Sequence, residues 1–151
     1  MIWIERDENV KGLKPIILDI TEISVSSCSV IKVDRGDVQE TLIFTCEYGK
    51  NNESYVINLK ETKYPLVNVT VTLEFESKLT STLQGFYKGS FYDEETKSES
   101  TFVSTQFSPI DCRRAFPSFD RPMFKATFKI SLIRPIDKNI FMSNMPVESQ
   151  E

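Results

Sequence analysis

A strict alternation of apolar and polar residues between positions 67 and 76 constrains the fold more than any other feature of this sequence. The apolar positions are Val67, Val69, Val71, Leu73 and Phe75, and only Asn, Thr and Glu stand between them. Since successive side chains of a β-strand point to opposite faces, the segment predicts a strand with one apolar and one polar face. Half-buried strands of this kind are typical of antiparallel sheets.

Further segments rich in β-branched and aromatic residues lie between turn-forming residues, and they predict additional strands. The predicted strands are residues 16–20, 23–33, 41–48, 54–59, 86–92, 98–107, 124–132 and 139–143. The acidic run at residues 93–97 predicts a solvated hairpin tip between two of them. No long segment has the 3.6-residue period of a helix, so the sequence predicts a mainly β fold.

Composition narrows the chemistry that this chain can carry. A length of 151 residues suits one domain, and 40% apolar with 26% charged residues is ordinary for a folded protein. The sequence has no histidine, which excludes an H-E-x-x-H zinc site, a His general base and a Ser-His-Asp triad within it. Cys28, Cys46 and Cys112 lack metal-ligand spacing, so we expect buried free thiols. The net charge of −4 disfavours nucleic acid as a partner.

Residues 105–128 are the least regular part of the sequence, since prolines, phenylalanines and an Arg-Arg pair are concentrated there. Ser108 predicts the N-cap of a short helix, with Pro109 at its first position and Asp111 near its positive end. Arg113 and Arg114 would then face different directions, one toward a carboxylate or backbone carbonyls and the other toward solvent. The aromatic and proline residues that follow, at 116–122, predict a rigid corner.

These motifs resemble the N-terminal domain of the zinc aminopeptidase family that includes aminopeptidase N, the endoplasmic-reticulum aminopeptidases and leukotriene A4 hydrolase. The matching positions are residues 105–107 (TQF), Arg113, 116–117 (FP), 119–120 (FD), Pro122, 125–126 (KA) and Phe128, together with 83–88 (LQGFYK) and 143–147 (SNMPV). The resemblance is strong from about residue 67 to 147 and faint from 15 to 33.

The resemblance implies a single domain over residues 1–151, an antiparallel, saddle-like β-sandwich with one short helical turn. It also implies that this domain is incomplete at its N-terminal edge, because the match begins partway into the family pattern. Family members continue into a zinc-binding catalytic domain with G-A-M-E-N and H-E-x-x-H motifs, and neither motif occurs here. We therefore expect zinc in the full-length family but no cofactor in this chain.

The resemblance assigns two candidate substrate-binding residues and no catalytic or metal-binding residue. Gln106 matches a glutamine that lines the subsite for the first side chain of the peptide. Ser108 falls where the family has a Glu or Gln that binds the free α-amine, and a neutral hydroxyl cannot replace a carboxylate in a charge-assisted hydrogen bond. The structural alternatives are a helix cap for Ser108 and a structural hydrogen bond for Gln106.

Three functions stay open on these grounds. The chain is a non-catalytic N-terminal domain, or a module that binds a protein partner at an open sheet edge, or a fragment of an active aminopeptidase. A peptide substrate is expected only when a catalytic domain is joined to it. The sequence has no signal-peptide pattern and no membrane-spanning apolar segment. The default expectation is the cytoplasm, and the extracellular side of the membrane is the alternative for an ectoenzyme fragment.

Overall fold

A computed structural model describes residues 2–5, 15–34, 37–60, 68–133 and 142–148, and nine antiparallel strands lie in these ranges. The strands are β1 (Ile2–Glu5), β2 (Ile16–Asp19), β3 (Ile23–Asp34), β4 (Asp37–Thr41), β5 (Phe44–Tyr48), β6 (Ser54–Leu59), β7 (Asn68–Ser77), β8 (Gly85–Asp93) and β9 (Ser98–Gln106). Two 3-10 turns, Lys50–Asn52 and Cys112–Arg114, are the helical segments of the described residues. No helix among the described residues is long and apolar enough to cross a bilayer.

Residues 68–76 of the alternating segment lie in β7, the strand that joins β1 and β3 in a four-stranded sheet of order β1-β7-β3-β4, and Val67 lies outside the described residues. Val69 and Val71 on β7 are fully buried, and so is Val30, which lies opposite Val71 on β3. The sequence pattern predicts no strand at residues 2–5, yet β1 pairs with β7 along its whole length. The alternation therefore predicts the strand correctly, while its neighbour on one side could not be predicted.

A second sheet of order β2-β6-β5 packs face to face on the first, and the core lies between them. The buried apolar residues come from both sheets: Ile16, Leu18, Ile20, Ile23, Val30, Leu42, Tyr55, Ile57, Val69 and Val71. This arrangement confirms the prediction of a mainly β, antiparallel sandwich.

The strand predicted at residues 41–48 is divided between the two sheets. β4 ends at Thr41 in the first sheet, and β5 begins at Phe44 in the second. The two residues between them bond to both sheets. The Leu42 N–H donates to the Val30 carbonyl oxygen at 3.0 Å, and the Ile43 carbonyl oxygen accepts from the Lys60 N–H at 2.9 Å. The prediction of one continuous strand was wrong because periodicity indicates which face is buried but not which sheet the strand joins.

The third sheet is the hairpin of β8 and β9, which pair without a register shift from Gly85 opposite Gln106 to Asp93 opposite Ser98. Residues 94–97 form its turn, which confirms the predicted hairpin tip. Lys97 and Glu94 form an ion pair at 3.0 Å in the turn, and both side chains are largely exposed. Such an exposed pair contributes little to stability.

We predict a low pKa for Asp93 at the start of this turn. Its carboxylate accepts hydrogen bonds from the Thr96 hydroxyl at 2.9 Å and from the Glu95 N–H at 2.9 Å, and these bonds lower the pKa of Asp93. A lowered pKa in the folded state means that the turn is stabilised above the unfolded-state pKa of about 3.9 and loses this contribution as the pH falls. NMR titration should show an Asp93 pKa below that value, and Thr96→Val should raise it. An unchanged pKa in the variant would contradict the assignment.

The prediction of a strand at residues 124–132 is wrong. The segment forms no strand, and its apolar residues are exposed: Phe124, Phe128, Ile130 and Leu132 are 54% to 66% accessible. An alternating segment needs a hydrogen-bonding neighbour as well as an apolar face, and no strand among the described residues pairs with it. Of the last predicted strand, residues 139–141 lie outside the described residues, and 142–143 form no strand.

Candidate functional site

The predicted helix at Ser108 is replaced by a turn. Residues 108–111 form this turn, in which the Asp111 N–H donates to the Phe107 carbonyl oxygen at 2.9 Å. The 3-10 turn begins later, at Cys112, and no side chain caps its N-terminus. The Asp111 carboxylate, which could have capped it, accepts instead from Arg114 Nε at 3.1 Å. Ser108 is therefore not a helix cap, and the predicted helix start was wrong.

The two candidate substrate-binding residues lie together where β9 ends. Gln106 is the last residue of β9 and Ser108 is the first residue of the turn, and both are exposed. Gln106 Nε2 donates to the Ser108 carbonyl oxygen at 3.4 Å, a long contact that leaves the amide weakly held. The structure thus presents the Gln106 carboxamide and, two residues further along the chain, Ser108 on an accessible corner.

Arg113 anchors this corner to the second sheet. Its Nε lies 3.0 Å from Asp120 Oδ2, its Nη2 donates to the Asp120 carbonyl oxygen at 3.1 Å, and its Nη1 lies 3.7 Å from Asp19 Oδ1. Asp19 also accepts from the Asp120 N–H at 3.0 Å, and its backbone bonds in both directions with Ser118. All three charged side chains are at most 20% exposed, so the group is a partly buried clamp between β2 and the corner.

Arg114 anchors the same corner to the β8–β9 hairpin. It pairs with Asp111 at 3.1 Å and with Glu22 at 3.6 Å, and its carbonyl oxygen accepts from the Ser77 hydroxyl at 2.8 Å. Gly85, opposite Gln106 in the hairpin, has φ of +68° and lies directly against Arg114. A Cβ atom at Gly85 would stand 2.5 Å from the Arg114 Cβ. The two arginines therefore face different directions, as predicted, although the second reaches carboxylates as well as solvent.

Aromatic contacts complete the corner. Phe116 packs edge to face on Phe107 with ring centroids 6.0 Å apart, and it contacts Phe128 at 6.2 Å. Pro117 is buried, and Phe119 packs against the main core. These contacts confirm the predicted aromatic anchors of the corner.

Sequence reasoning missed Asp19 and Gly85 as supports of the corner. Asp19 is 101 residues from Asp120, and no local pattern could indicate that contact. Gly85 carried a weak signal, because an isolated glycine at the start of an aromatic strand is typical of a close backbone approach.

The described residues do not fit a zinc site. No three His, Cys, Asp or Glu side chains come together there as metal ligands, and the sequence contains no histidine. The three cysteines are free, as expected, but they are only partly buried. The site can supply polar, uncharged contacts from Gln106 and Ser108, and it offers no arrangement of nucleophile and base among the described residues.

Comparison with known proteins places this mainly β domain and its corner in a family. The family sequence model of the Peptidase M1 N-terminal domain matches residues 4–151, and the chain therefore belongs to that family. It is 34% identical over 145 residues to glutamyl aminopeptidase of Rattus norvegicus, covering 93% of this chain. It is 33% identical over 136 residues to aminopeptidase M1-A of Oryza sativa subsp. japonica, covering 90% of this chain.

A shorter match has a higher sequence identity. The chain is 42% identical over 79 residues to endoplasmic reticulum aminopeptidase 2 of Bos taurus, covering 51% of this chain and 8% of that protein. The chain spans about 15% of the length of the rat and rice relatives.

Proposed function

We propose that this domain is non-catalytic by itself and forms one wall of a peptide-binding site whose catalytic groups come from another domain. The observation that carries the proposal is the exposed pair of Gln106 and Ser108 on a corner that two arginines hold in place. Membership of the Peptidase M1 N-terminal domain family supports it. In this proposal zinc is bound by the catalytic domain of an aminopeptidase, because the described residues here do not fit it.

The proposed substrate is a peptide with a free N-terminus. The Gln106 carboxamide can donate and accept hydrogen bonds, so it suits a peptide backbone or a polar side chain. Ser108 is neutral, so it would bind the α-ammonium group more weakly than a carboxylate would. A rigid mounting is what such contacts require, because a misplaced donor stabilises neither the substrate nor the transition state. Arg113 and Arg114 supply that mounting from two sides.

A chimera tests this proposal, with the chain replacing the N-terminal domain of the related glutamyl aminopeptidase. Gln106→Ala should raise KM by about three- to tenfold, because one neutral hydrogen bond to substrate is lost. Ser108→Glu should lower KM by about tenfold, because a carboxylate is supplied to the α-amine. Thr105→Ala is the control, since Thr105 is exposed on the opposite face of the same strand. If Gln106→Ala and Ser108→Glu shifted KM no more than Thr105→Ala does, the assignment would be refuted.

The isolated chain gives the complementary measurement. Incubation with fluorogenic aminoacyl substrates and added zinc should give no turnover, because the sequence contains no histidine to serve as a zinc ligand or general base, and no group of metal ligands comes together among the described residues. Metal-dependent hydrolysis by the purified chain would overturn the non-catalytic role.

One observation favours a second function, binding of a protein partner by strand addition. Among the described residues, β9 pairs only with β8, so its outer edge has no strand beside it. The hairpin also exposes Phe91, Tyr92 and Phe102, and such an edge is a template for another strand. The two functions differ in one measurement: a binding module would capture its partner without a catalytic domain.

A further inference from the structure

One face of the β8–β9 hairpin carries Gln106 together with three aromatic side chains. Alternate residues of a strand share a face, so Phe102 lies on the same face as Gln106, further along β9. Tyr87 on β8 is opposite Ser104, which also belongs to this face, and Phe91 follows on the same side of β8. We call Tyr87, Phe102 and Phe91 the aromatic row, and it begins beside the candidate site and runs toward the hairpin tip.

The aromatic row is continuous and accessible. The ring centroids of Tyr87 and Phe102 are 6.5 Å apart, and those of Phe91 and Phe102 are 6.4 Å apart. The Phe102 ring lies across Gly89, the residue opposite it on β8. Phe102 is 42% and Phe91 52% exposed, while Tyr87 is partly exposed. Rings that already contact one another lose less side-chain freedom when a ligand binds to them.

The face that carries the aromatic row is uncharged along the described hairpin, from Gln106 to the residues before the tip. The charged residues inside the two strands, Lys88 and Glu99, alternate onto the other face, and Asp93 lies where the turn begins. A charged side chain of a ligand would lose water on such a face without gaining a partner, whereas an apolar side chain would not. The face therefore suits apolar side chains.

We propose that the aromatic row binds apolar side chains of a peptide beyond its first residue, so that the peptide extends along the hairpin from Gln106 toward Phe91. The inference rests on the proposed function, since Gln106 is taken as the contact for the first residue of the peptide. A strand rises about 3.4 Å per residue, so Tyr87 lies about 7 Å and Phe102 about 14 Å from Gln106 along the strand direction.

This spacing defines the class of peptide. An extended peptide has the same rise per residue as a strand, so its third residue meets Tyr87 and its fifth residue meets Phe102 when its first residue is at Gln106. The preferred ligand is therefore a peptide of at least five residues with aromatic or large aliphatic side chains at its third and fifth positions. Peptides with small side chains there contact only the corner.

The experiment is an NMR titration of the 151-residue chain with two pentapeptides, Ala-Ala-Phe-Ala-Phe and Ala-Ala-Ala-Ala-Ala. The ring protons of Tyr87 and Phe102 should shift on addition of the phenylalanine peptide. Its Kd should be about three- to tenfold lower than the Kd of the alanine peptide, because aromatic contacts are gained. This comparison uses the unaltered chain and depends on no variant.

Three variants identify the surface that is responsible. Phe102→Ala should remove most of the difference in Kd between the two peptides. Tyr92→Ala is the matched control and should retain the difference, since Tyr92 is 59% exposed and lies next to Phe91 on the opposite face of β8. Gln106→Ala should weaken the binding of both peptides by the same factor, which separates the contact of the first residue from that of the aromatic row.

The failure of this inference and the failure of the proposed function give different results. Equal Kd values for the two peptides would overturn the inference, and so would ring-proton shifts at Tyr92 in place of the aromatic row. Shifts that follow the protein concentration rather than the peptide would also overturn it, because a second copy of the chain would then cover the row. Unchanged binding of both peptides by Gln106→Ala would instead overturn the proposed function, and with it the position of the peptide along the row.

Discussion

Replacing Arg113 with alanine is expected to lower the free energy of unfolding by about 2–4 kcal/mol. The guanidinium group bonds to Asp120 at 3.0 Å and lies 3.7 Å from Asp19, and these side chains are at most 20% exposed. Removing it leaves two partly buried carboxylates close together without a cation between them. Urea unfolding followed by far-UV circular dichroism measures the change. Arg113→Lys should lower the free energy of unfolding by less, because lysine keeps the positive charge although it cannot form the bidentate hydrogen bonds of arginine.

The matched control for this variant is Lys97→Ala. Lys97 also forms an ion pair, with Glu94 at 3.0 Å, but these side chains are 70% and 80% exposed. Its removal should change the unfolding free energy by less than about 0.5 kcal/mol. Similar losses for Arg113→Ala and Lys97→Ala would show that the clamp has no special role.

Replacing Gly85 with alanine should destabilise the fold by about 2–3 kcal/mol and loosen the hairpin from the corner. The added Cβ would lie 2.5 Å from the Arg114 Cβ and 3.2 Å from the Asp111 carbonyl oxygen, while φ of +68° is strained for any residue with a Cβ. Urea unfolding gives the first effect. Hydrogen exchange gives the second, since the amides of β8 and β9 should lose protection before those of β3 and β7.

Gly89→Ala is the control for the hairpin. Its Cβ would also meet a neighbour at 2.5 Å, but that neighbour is the ring of Phe102, a side chain 42% exposed that can rotate away. We expect a loss of at most about 1 kcal/mol and unchanged docking of the hairpin. An equally large effect at Gly89 would mean that glycine flexibility in the hairpin, rather than contact with Arg114, governs stability.

The sequence predicts those parts of the fold in which the information is local. The alternation at β7 and the acidic tip between β8 and β9 each specify their own conformation through side-chain period and turn chemistry. Residues 124–132 show the limit of this reasoning. Their alternation specifies an apolar face, yet pairing depends on a neighbouring strand that the segment itself does not encode.

The candidate site could likewise be predicted only in part from the sequence. Gln106 and Ser108 could be chosen only through resemblance to a family, because an isolated Gln and Ser on a strand end carry no chemical signature. The supports of the site could be predicted only in part. The Arg-Arg pair indicated partners of opposite charge, but Asp19 is too distant in sequence to be identified by spacing.

The bond between Asp19 and Asp120 also has a consequence for the order of folding. Its partners are 101 positions apart in the sequence, so a long loop must be closed before the clamp exists, and contacts of such separation form slowly. The hairpins β3–β4, β5–β6 and β8–β9 each need far shorter loops, so they can form first. During synthesis Asp19 must therefore wait until residue 120 has left the ribosome. The corner that carries Gln106 and Ser108 is then among the last parts of the domain to reach its final position.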